Sequence, residues 1–133
     1  MSIQQDPVSD YLTRLRNASK AGSEYVDIPL SKIKENITKI LKNEGYIKHY
    51  KAIKDDKQGV LRIYLKYRDD NEAVLTQLER ISKPNRRVYI HAEDIKKVRG
   101  GMGVSIVSTS AGLMTGREAW QKKIGGELLL RSW

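Results

Sequence analysis

The chain has 133 residues, of which 25 are basic and 16 acidic, so its formal net charge at neutral pH is +9. That length suits one domain, or two lobes that share a core. The chain has no cysteine, which excludes disulfide scaffolds, thiolate zinc sites and thiol catalysis. No apolar run approaches the ~18 residues of a membrane span, and the first residues lack the pattern of a secretory signal.

The surplus of positive charge predicts a polyanionic partner, with nucleic acid first and an anionic membrane second. A protein that is basic without such a partner is the plainer alternative. The cations are concentrated between Arg80 and Arg99, where seven residues are basic and two are acidic. We therefore expect a binding surface in this part of the chain.

The first elements are predicted by capping residues and apolar spacing. Asp6-Pro7 suits the start of a helix, and Gly22 suits its end. The strand predicted at Tyr25–Leu30 alternates apolar and polar side chains, and Pro29 makes it an edge strand or a strand end.

A second helix is predicted between a Ser31 cap and Gly45. Its buried stripe is expected to be Ile33, Ile37, Ile40 and Leu41. Its solvated face is expected to carry Lys32, Lys34, Lys39 and Lys42.

Ile47–Ile53 and Val60–Arg68 flank a polar turn and predict a β-hairpin. In the second arm, apolar residues alternate with Arg62, Tyr64 and Lys66. Basic residues interleaved with tyrosine can stack on nucleic acid, whereas the wet side of an antiparallel sheet has the same composition. The alternation leaves both interpretations open.

The polar stretch Arg68–Asn71 predicts a boundary between an α-β-α-β-β lobe, residues 1–70, and a β-rich lobe, residues 71–133. Ala73–Ile81 fits a helix or a strand. The later elements are predicted as a strand at Arg87–His91, a helix at Glu93–Arg99, a strand at Val104–Thr109, a short helix behind a Thr115/Glu118 capping box and a strand at Glu127–Trp133. The predicted fold class is α+β, with small, mostly antiparallel sheets and helices packed on them.

No enzymatic motif is complete. A dinucleotide fingerprint that starts at Gly101 would need glycine in place of Ile106, and a nucleophile elbow through Ser105 would need glycine in place of Val107. There is no Walker A pattern, and the two histidines are far apart. We expect no enzymatic activity, no cofactor and no metal site.

The segment Ser108–Gly112 places three hydroxyl side chains at a strand end and follows them with a small residue and a glycine. Hydroxyls donate and accept hydrogen bonds, glycine lets a partner come close, and the RNA minor groove presents 2′-hydroxyls and base edges. A serine-rich turn held by local backbone bonds has the same residues. Spacing alone leaves both interpretations open.

Several segments, in order and nearly end to end, resemble the bacterial small-subunit ribosomal protein S-eight family. They are Leu12–Ala18, Ile28-Pro29, Gly59–Tyr67, Ile81–Tyr89, Gly101–Gly112, Met114-Thr115 and Gly125–Glu127. Asn85 stands where the family usually has glycine, and we expect it to take the same left-handed conformation. Further departures are Gly116, Trp120 and Leu130-Arg131-Ser132.

The resemblance implies two tightly packed lobes and direct binding to the central domain of small-subunit ribosomal RNA, where the protein helps assemble the platform. It assigns the main RNA contact to the C-terminal lobe, at Lys83, Arg86, Arg87, Tyr89, Ser108, Thr109, Ser110, Gly112 and Glu127. It assigns a second RNA contact to the N-terminal lobe, at Thr13, Arg14, Arg16 and Asn17.

The implied partners are this RNA and neighbouring proteins of the S-five and S-twelve families, with no membrane partner and a monomer outside the ribosome. The implied location is the ribosome in the cytoplasm, and an organellar ribosome also fits. The rival hypothesis is a basic adaptor that docks on acidic proteins. That hypothesis explains the charge but not the hydroxyl segment at 108–112.

Overall fold

The computed structural model describes residues 7–75, 78–98 and 104–132. In these residues the chain forms four helices and two antiparallel sheets, which confirms the α+β class. It divides into two compact units, one of Asp10–Gln77 and one that joins Met1–Ser9 to Leu78–Trp133. The boundary expected near residue 70 stays a prediction. No helix in the described part of the chain is long and apolar enough to cross a membrane.

Some expectations fall on parts of the chain that the structure does not describe. They are the Asp6 cap, the helix end at Gly100-Gly101, the glycines of the dinucleotide comparison, the side chains of Lys96, Lys97 and Val98, and Trp133.

The elements of the first unit follow the predicted order. They are α1 (Pro7–Ala21), β1 (Tyr25–Pro29), α2 (Lys32–Asn43), β2 (Ile47–Ile53) and β3 (Val60–Leu65). The strands form an antiparallel sheet in the order β1-β3-β2, so β3 is central and β1 lies at an edge. This confirms the edge position that Pro29 predicted, since proline lacks the N–H that a central strand would need.

The core of this unit consists of apolar side chains from both helices and from one face of the sheet. They are Tyr11, Leu12, Leu15, Ile28, Ile37, Leu41, Ile47, Leu61, Ile63 and Leu65. Thr38 donates its only hydroxyl proton to the Lys34 carbonyl at 2.7 Å, so Tyr11 is the donor in its 2.6 Å bond to the Thr38 hydroxyl. Burial raises the pKa of Tyr11 well above its ordinary value, and the phenol therefore stays neutral.

The buried face of α2 differs from the expected one. Ile37 and Leu41 are buried as predicted, but Ile33 is 39% exposed and Lys34 is only 5% exposed. The Lys34 ammonium donates a 3.3 Å hydrogen bond to the Pro29 carbonyl. A lysine can bury its methylene stem when its charged end has an acceptor, and for this reason the apolar pattern misassigned both residues.

The second unit holds the remaining elements. They are β4 (Leu78–Arg80), β5 (Tyr89–Ile90), α3 (Ala92–Val98), β6 (Val104–Thr109), β7 (Gly112–Thr115), α4 (Gly116–Gln121) and β8 (Gly126–Ser132). The strand order is β4-β8-β6-β7, and β5 also pairs with β8. β7 was not predicted from the sequence. It follows β6 after a two-residue turn at Ser110-Ala111 and pairs with β6 in the antiparallel direction. Half of the predicted capping box is confirmed, since the Glu118 N–H donates to the Thr115 hydroxyl at 3.1 Å. The Glu118 carboxylate accepts from the same hydroxyl at 3.3 Å, and its bond to the Thr115 backbone N–H stays a prediction.

Two of the departures from the family have a structural account. Trp120 packs with Ile90 against a small core cluster that includes Ile95. Asn85 is not in the left-handed conformation, and that expectation was wrong: in the described residues, Asn71 and Lys123 are the non-glycine residues with positive φ. A common type of turn has proline at its first central position and a residue with negative φ at its second. Pro84 and Asn85 suit these two positions, so Asn85 does not need the left-handed conformation.

Candidate nucleic-acid interface

A row of three residues crosses neighbouring strands of the second sheet. Tyr89 in β5 pairs with Glu127 in β8, and Glu127 pairs with Ser108 in β6. Residues directly opposite one another on adjacent strands share a face of the sheet. Tyr89 is 71% exposed, and the other two are half-buried. The fold thus brings together three of the residues that the sequence assigned to the main RNA contact.

The carboxylate of Glu127 is held from two sides. The Ser82 hydroxyl donates to Oε2, and the Arg87 guanidinium donates to the same atom at 2.9 Å. Desolvation raises the pKa of Glu127, but the hydrogen bonds from Ser82 and Arg87 outweigh it, and the pKa lies below its ordinary value. At neutral pH the row therefore has a fixed anionic acceptor at its centre, of the kind that can receive a base amino group.

The turn between β6 and β7 carries the hydroxyl segment. Thr109 donates from its hydroxyl to the Gly112 carbonyl at 2.8 Å and accepts from the Ala111 N–H at 3.0 Å. Ser110 is exposed at the tip. Thr109 therefore performs the local role that a serine- and threonine-rich turn predicts, while the Ser110 side chain is exposed to solvent. Contact of either hydroxyl with RNA stays a prediction.

Three glycines shape this surface. Gly112 has φ +109°, and a Cβ built there would meet nothing within 4 Å, so the space beside the turn is open. A Cβ at Gly126 would lie 2.2 Å from the Ser108 carbonyl oxygen, and one at Gly125 would lie 2.5 Å from that of Ile90. The glycines at 125 and 126 let β8 pass close to β6 and β5, which sets the spacing of the row.

The expected cations lie on the segment that leads into this row. Lys83 and Arg86 are exposed at either end of a tight turn, and each backbone N–H donates to the other residue's carbonyl at 3.0 Å. Arg87 is half-exposed and pairs with Glu127. Lys83 and Arg86 therefore suit phosphate contacts, whereas Arg87 also positions the carboxylate.

Sequence reasoning missed Ser82 and Gly126 as parts of this surface. Ser82 is fully buried, and its hydroxyl also accepts from the Val88 N–H at 3.2 Å. Nothing in the sequence distinguishes it from a serine in any turn. The Gly125-Gly126 pair carried a usable signal, since adjacent glycines before a strand indicate a close approach as well as a helix end.

The residues assigned to the second contact divide between two places. Thr13, Arg16 and Asn17 line a hollow of about 710 Å³ together with Ser19, Lys20, Asn71, Glu72, Ala73 and Leu75. Arg14 instead donates to the Asp10 carboxylate at 3.2 Å and to the Asp27 carbonyl at 3.5 Å. The spacing i, i+3, i+4 and i+7 of the lining residues on α1 could have added Lys20 to the prediction.

Exposed cations, a fixed carboxylate, an exposed tyrosine and a hydroxyl-bearing turn beside one sheet are a combination typical of RNA-binding proteins. In RNA-binding proteins, cations of this kind bind phosphates without reading sequence, and short hydroxyls can contact 2′-hydroxyls and base edges. That the residues of this surface do so stays a prediction. The model of one family, described as Ribosomal protein S8, matches residues 6–133. The chain belongs to this family, whose members are structural proteins of the ribosome and not enzymes.

Relatives cover nearly the whole chain. It is 50% identical to the small ribosomal subunit protein uS8 of Streptococcus thermophilus and 52% identical to that of Streptococcus agalactiae. Each match spans 131 residues, which is 98% of this chain and 99% of the relative. A uS8 protein of Streptococcus suis is 50% identical over the same length.

Proposed function

We propose that this chain is a structural component of the small ribosomal subunit that binds directly to the central domain of its RNA and helps assemble the platform. Its membership of the ribosomal protein S8 family supports the ribosomal role. The single observation that carries the RNA site is the row of Tyr89, Glu127 and Ser108 beside the exposed turn at Ser110. The protein works on the ribosome in the cytoplasm.

The main contact divides its work between two kinds of group. Lys83 and Arg86 supply affinity that depends on salt, because phosphate binding releases counterions. Ser108, Thr109 and Ser110 supply selectivity, because hydroxyls this short act only where the backbone already touches the RNA. Three further residues complete the main contact. Gly112 leaves open space beside the turn, and Tyr89 offers the face of its ring. Glu127, held by Arg87, accepts a hydrogen bond from the RNA.

The second contact uses the polar side of α1 in the other unit. Thr13, Arg16 and Asn17 share one hollow and form its centre, with Arg14 at the side. The neighbours in the assembled subunit are proteins of the S-five and S-twelve families, and outside the ribosome the chain is a monomer. The rival adaptor function has no comparable support, because it leaves the hydroxyl turn without a use.

A filter-binding experiment tests the function. The full chain is titrated against a central-domain fragment of small-subunit ribosomal RNA, a scrambled duplex of equal length and a generic acidic protein. We expect the cognate fragment to bind at least about a thousandfold more tightly than the scrambled duplex, within the range of specific nucleic-acid recognition. Equal binding to both RNAs, or preferred binding to the acidic protein, would contradict the proposal.

A further inference from the structure

A second row of rings lies on the three-stranded sheet, outside the residues assigned to RNA above. Tyr25 of β1 pairs with Tyr64 of β3, and Tyr64 pairs with His49 of β2. The ring centroids of Tyr25 and Tyr64 are 5.9 Å apart, and those of His49 and Tyr64 are 5.4 Å apart with the rings stacked. The three rings therefore form one continuous aromatic row across the whole width of the sheet.

This row lies on the face of the sheet opposite the core. Along β3 the buried residues Leu61, Ile63 and Leu65 alternate with Arg62 and Tyr64, so the tyrosine belongs to the outer side.

The rings of the row are accessible. Tyr25 is 41% exposed, His49 is exposed, and Tyr64 is half-buried between them. Among the large hydrophobic residues that the structure describes, only Tyr89 is more exposed than Tyr25. The aromatic row is therefore within reach of a partner in solution.

A row of charges runs beside the rings. Asp27, Arg62 and Lys51 pair across the same three strands. Arg62 donates twice to the Asp27 carboxylate, at 2.8 and 3.0 Å, and its guanidinium carbon lies 4.4 Å from the centre of the Tyr25 ring. The Lys51 ammonium is 5.8 Å from the centre of the Tyr64 ring. Arg62 and Asp27 neutralise each other as an ion pair, so Lys51 supplies the net positive charge next to the aromatic row.

We propose that this face is a separate binding surface for unpaired RNA bases, which stack on the aromatic row while Lys51 contacts a phosphate. Exposed rings flanked by cations are the combination with which proteins hold single-stranded nucleic acid, because every base has a π-face and every nucleotide has a charge. A duplex offers no free base face to these rings. An apolar protein partner would have to bury the charged row, and an acidic one would leave the rings unused.

The proposal does not depend on the contact at Tyr89, Glu127 and Ser108. A short single-stranded RNA tests binding to the aromatic row independently of that contact. The full chain is titrated with hexaadenylate and with an abasic hexamer of the same charge, and the tyrosine ring resonances are followed by NMR. We expect hexaadenylate to bind more tightly and to shift the Tyr25 and Tyr64 ring signals. The Ser110→Ala chain is expected to bind hexaadenylate unchanged.

Two variants of Tyr64 distinguish a loss of base stacking from a loss of folding. Tyr64→Thr removes the ring but keeps a good strand former, and we expect hexaadenylate affinity to fall at least about fivefold. Tyr64→Phe keeps the ring and is expected to bind within about twofold of the unsubstituted chain. Tyr25→Thr, on the edge strand, repeats the test if Tyr64→Thr does not fold. Cross-strand packing alone predicts lower melting temperatures and unchanged affinity.

A pair of lysines tests the phosphate contact. Lys51→Gln is expected to weaken hexaadenylate and the abasic hexamer by similar factors, and the matched Lys39→Gln, on an exposed turn of α2, is expected to change neither. Three results would overturn the proposal: equal affinity for hexaadenylate and the abasic hexamer, unchanged binding by the folded Tyr64→Thr or Tyr25→Thr chain, or tighter binding of polyglutamate, which would assign this face to an acidic protein.

Discussion

Ser82 donates a hydrogen bond to the carboxylate of Glu127, a residue 45 positions later in the chain. The serine is fully buried, and the side chain of Glu127 is 17% exposed. The same hydroxyl accepts from the Val88 N–H at 3.2 Å. One small side chain therefore connects the segment that carries the exposed cations to the strand that carries Glu127. The arrangement of the proposed RNA surface thus depends on a buried residue.

Replacing Ser82 should destabilise the fold. Ser82→Ala leaves the Val88 N–H without its hydroxyl acceptor and removes a donor from Glu127, so we expect the free energy of unfolding to fall by about 1–3 kcal/mol. Urea titration measures the change. Ser19→Ala is the matched control, because the buried Ser19 hydroxyl has no hydrogen-bond partner among the described residues. The control is expected to keep or gain stability, and equal losses in both variants would show that the Glu127 bond contributes nothing.

The depressed pKa of Glu127 predicts a pH dependence of stability. Its folded pKa lies below the ordinary value of 4.5, so the stabilisation is present above that pH and is lost as the pH falls through the folded pKa. The unfolding free energies of the natural chain and Glu127→Gln should differ at pH 7 and converge toward pH 3. Glu79→Gln removes an exposed carboxylate paired with Arg131 and should cost under about 1 kcal/mol at pH 7. A Glu127→Gln difference that persists unchanged at pH 3 would contradict the assignment.

Arg86 should contribute affinity without specificity. Arg86→Ala is expected to weaken cognate and scrambled RNA by similar factors and to reduce the slope of log affinity against log salt by about one. The unsubstituted chain should lose on the order of a thousandfold between about 50 and 200 mM salt if it neutralises several phosphates. Filter binding at several salt concentrations checks both, with Lys39→Ala as a charge-matched control. A loss confined to cognate RNA would instead make Arg86 a base-reading residue.

Ser110 and Thr109 should behave differently although they are adjacent. Ser110 is exposed at the tip of the turn, so Ser110→Ala should cost roughly 1–3 kcal/mol of cognate affinity and leave the melting temperature and salt slope unchanged. Thr109→Ala removes two bonds within the turn and should lower the melting temperature as well. Affinity and melting are measured on each variant. Lower melting with intact cognate affinity in Ser110→Ala would reduce the segment to a structural turn.

Gly116 and Ser105 should be energetically coupled. A Cβ at Gly116 would lie 2.2 Å from the buried Ser105 hydroxyl oxygen and 3.2 Å from an Ile95 methyl carbon. Gly116→Ala should therefore cost about 1–3 kcal/mol, and the added Ser105→Ala change should recover most of it. A double-mutant cycle by urea unfolding measures the coupling. Additive losses would show that the hydroxyl does not limit the space at this position.

Local structure could be predicted wherever the sequence carried its own signals. The Thr115 cap and the Pro29 edge position were confirmed because each depends on backbone groups within a few residues or on a missing N–H. Ile33 and Lys34 were misassigned because helix periodicity does not show that the Pro29 carbonyl accepts from a lysine. The strand at Gly112–Thr115 was missed because four residues have too short a pattern to stand out from a turn.

The sequence by itself determined the class of fold and predicted the charge of the partner, because composition, caps and alternation act over short distances. The segments predicted to contact RNA came from the resemblance to the family. Only the tertiary structure decided that Tyr89, Glu127 and Ser108 lie in one row, that Ser82 holds the carboxylate, and that Arg14 lies apart from Arg16. The row depends on strand order and register, and the Ser82 and Arg14 contacts depend on the packing of segments that are far apart in the chain. Register follows from the packing of whole faces, and no short segment encodes it.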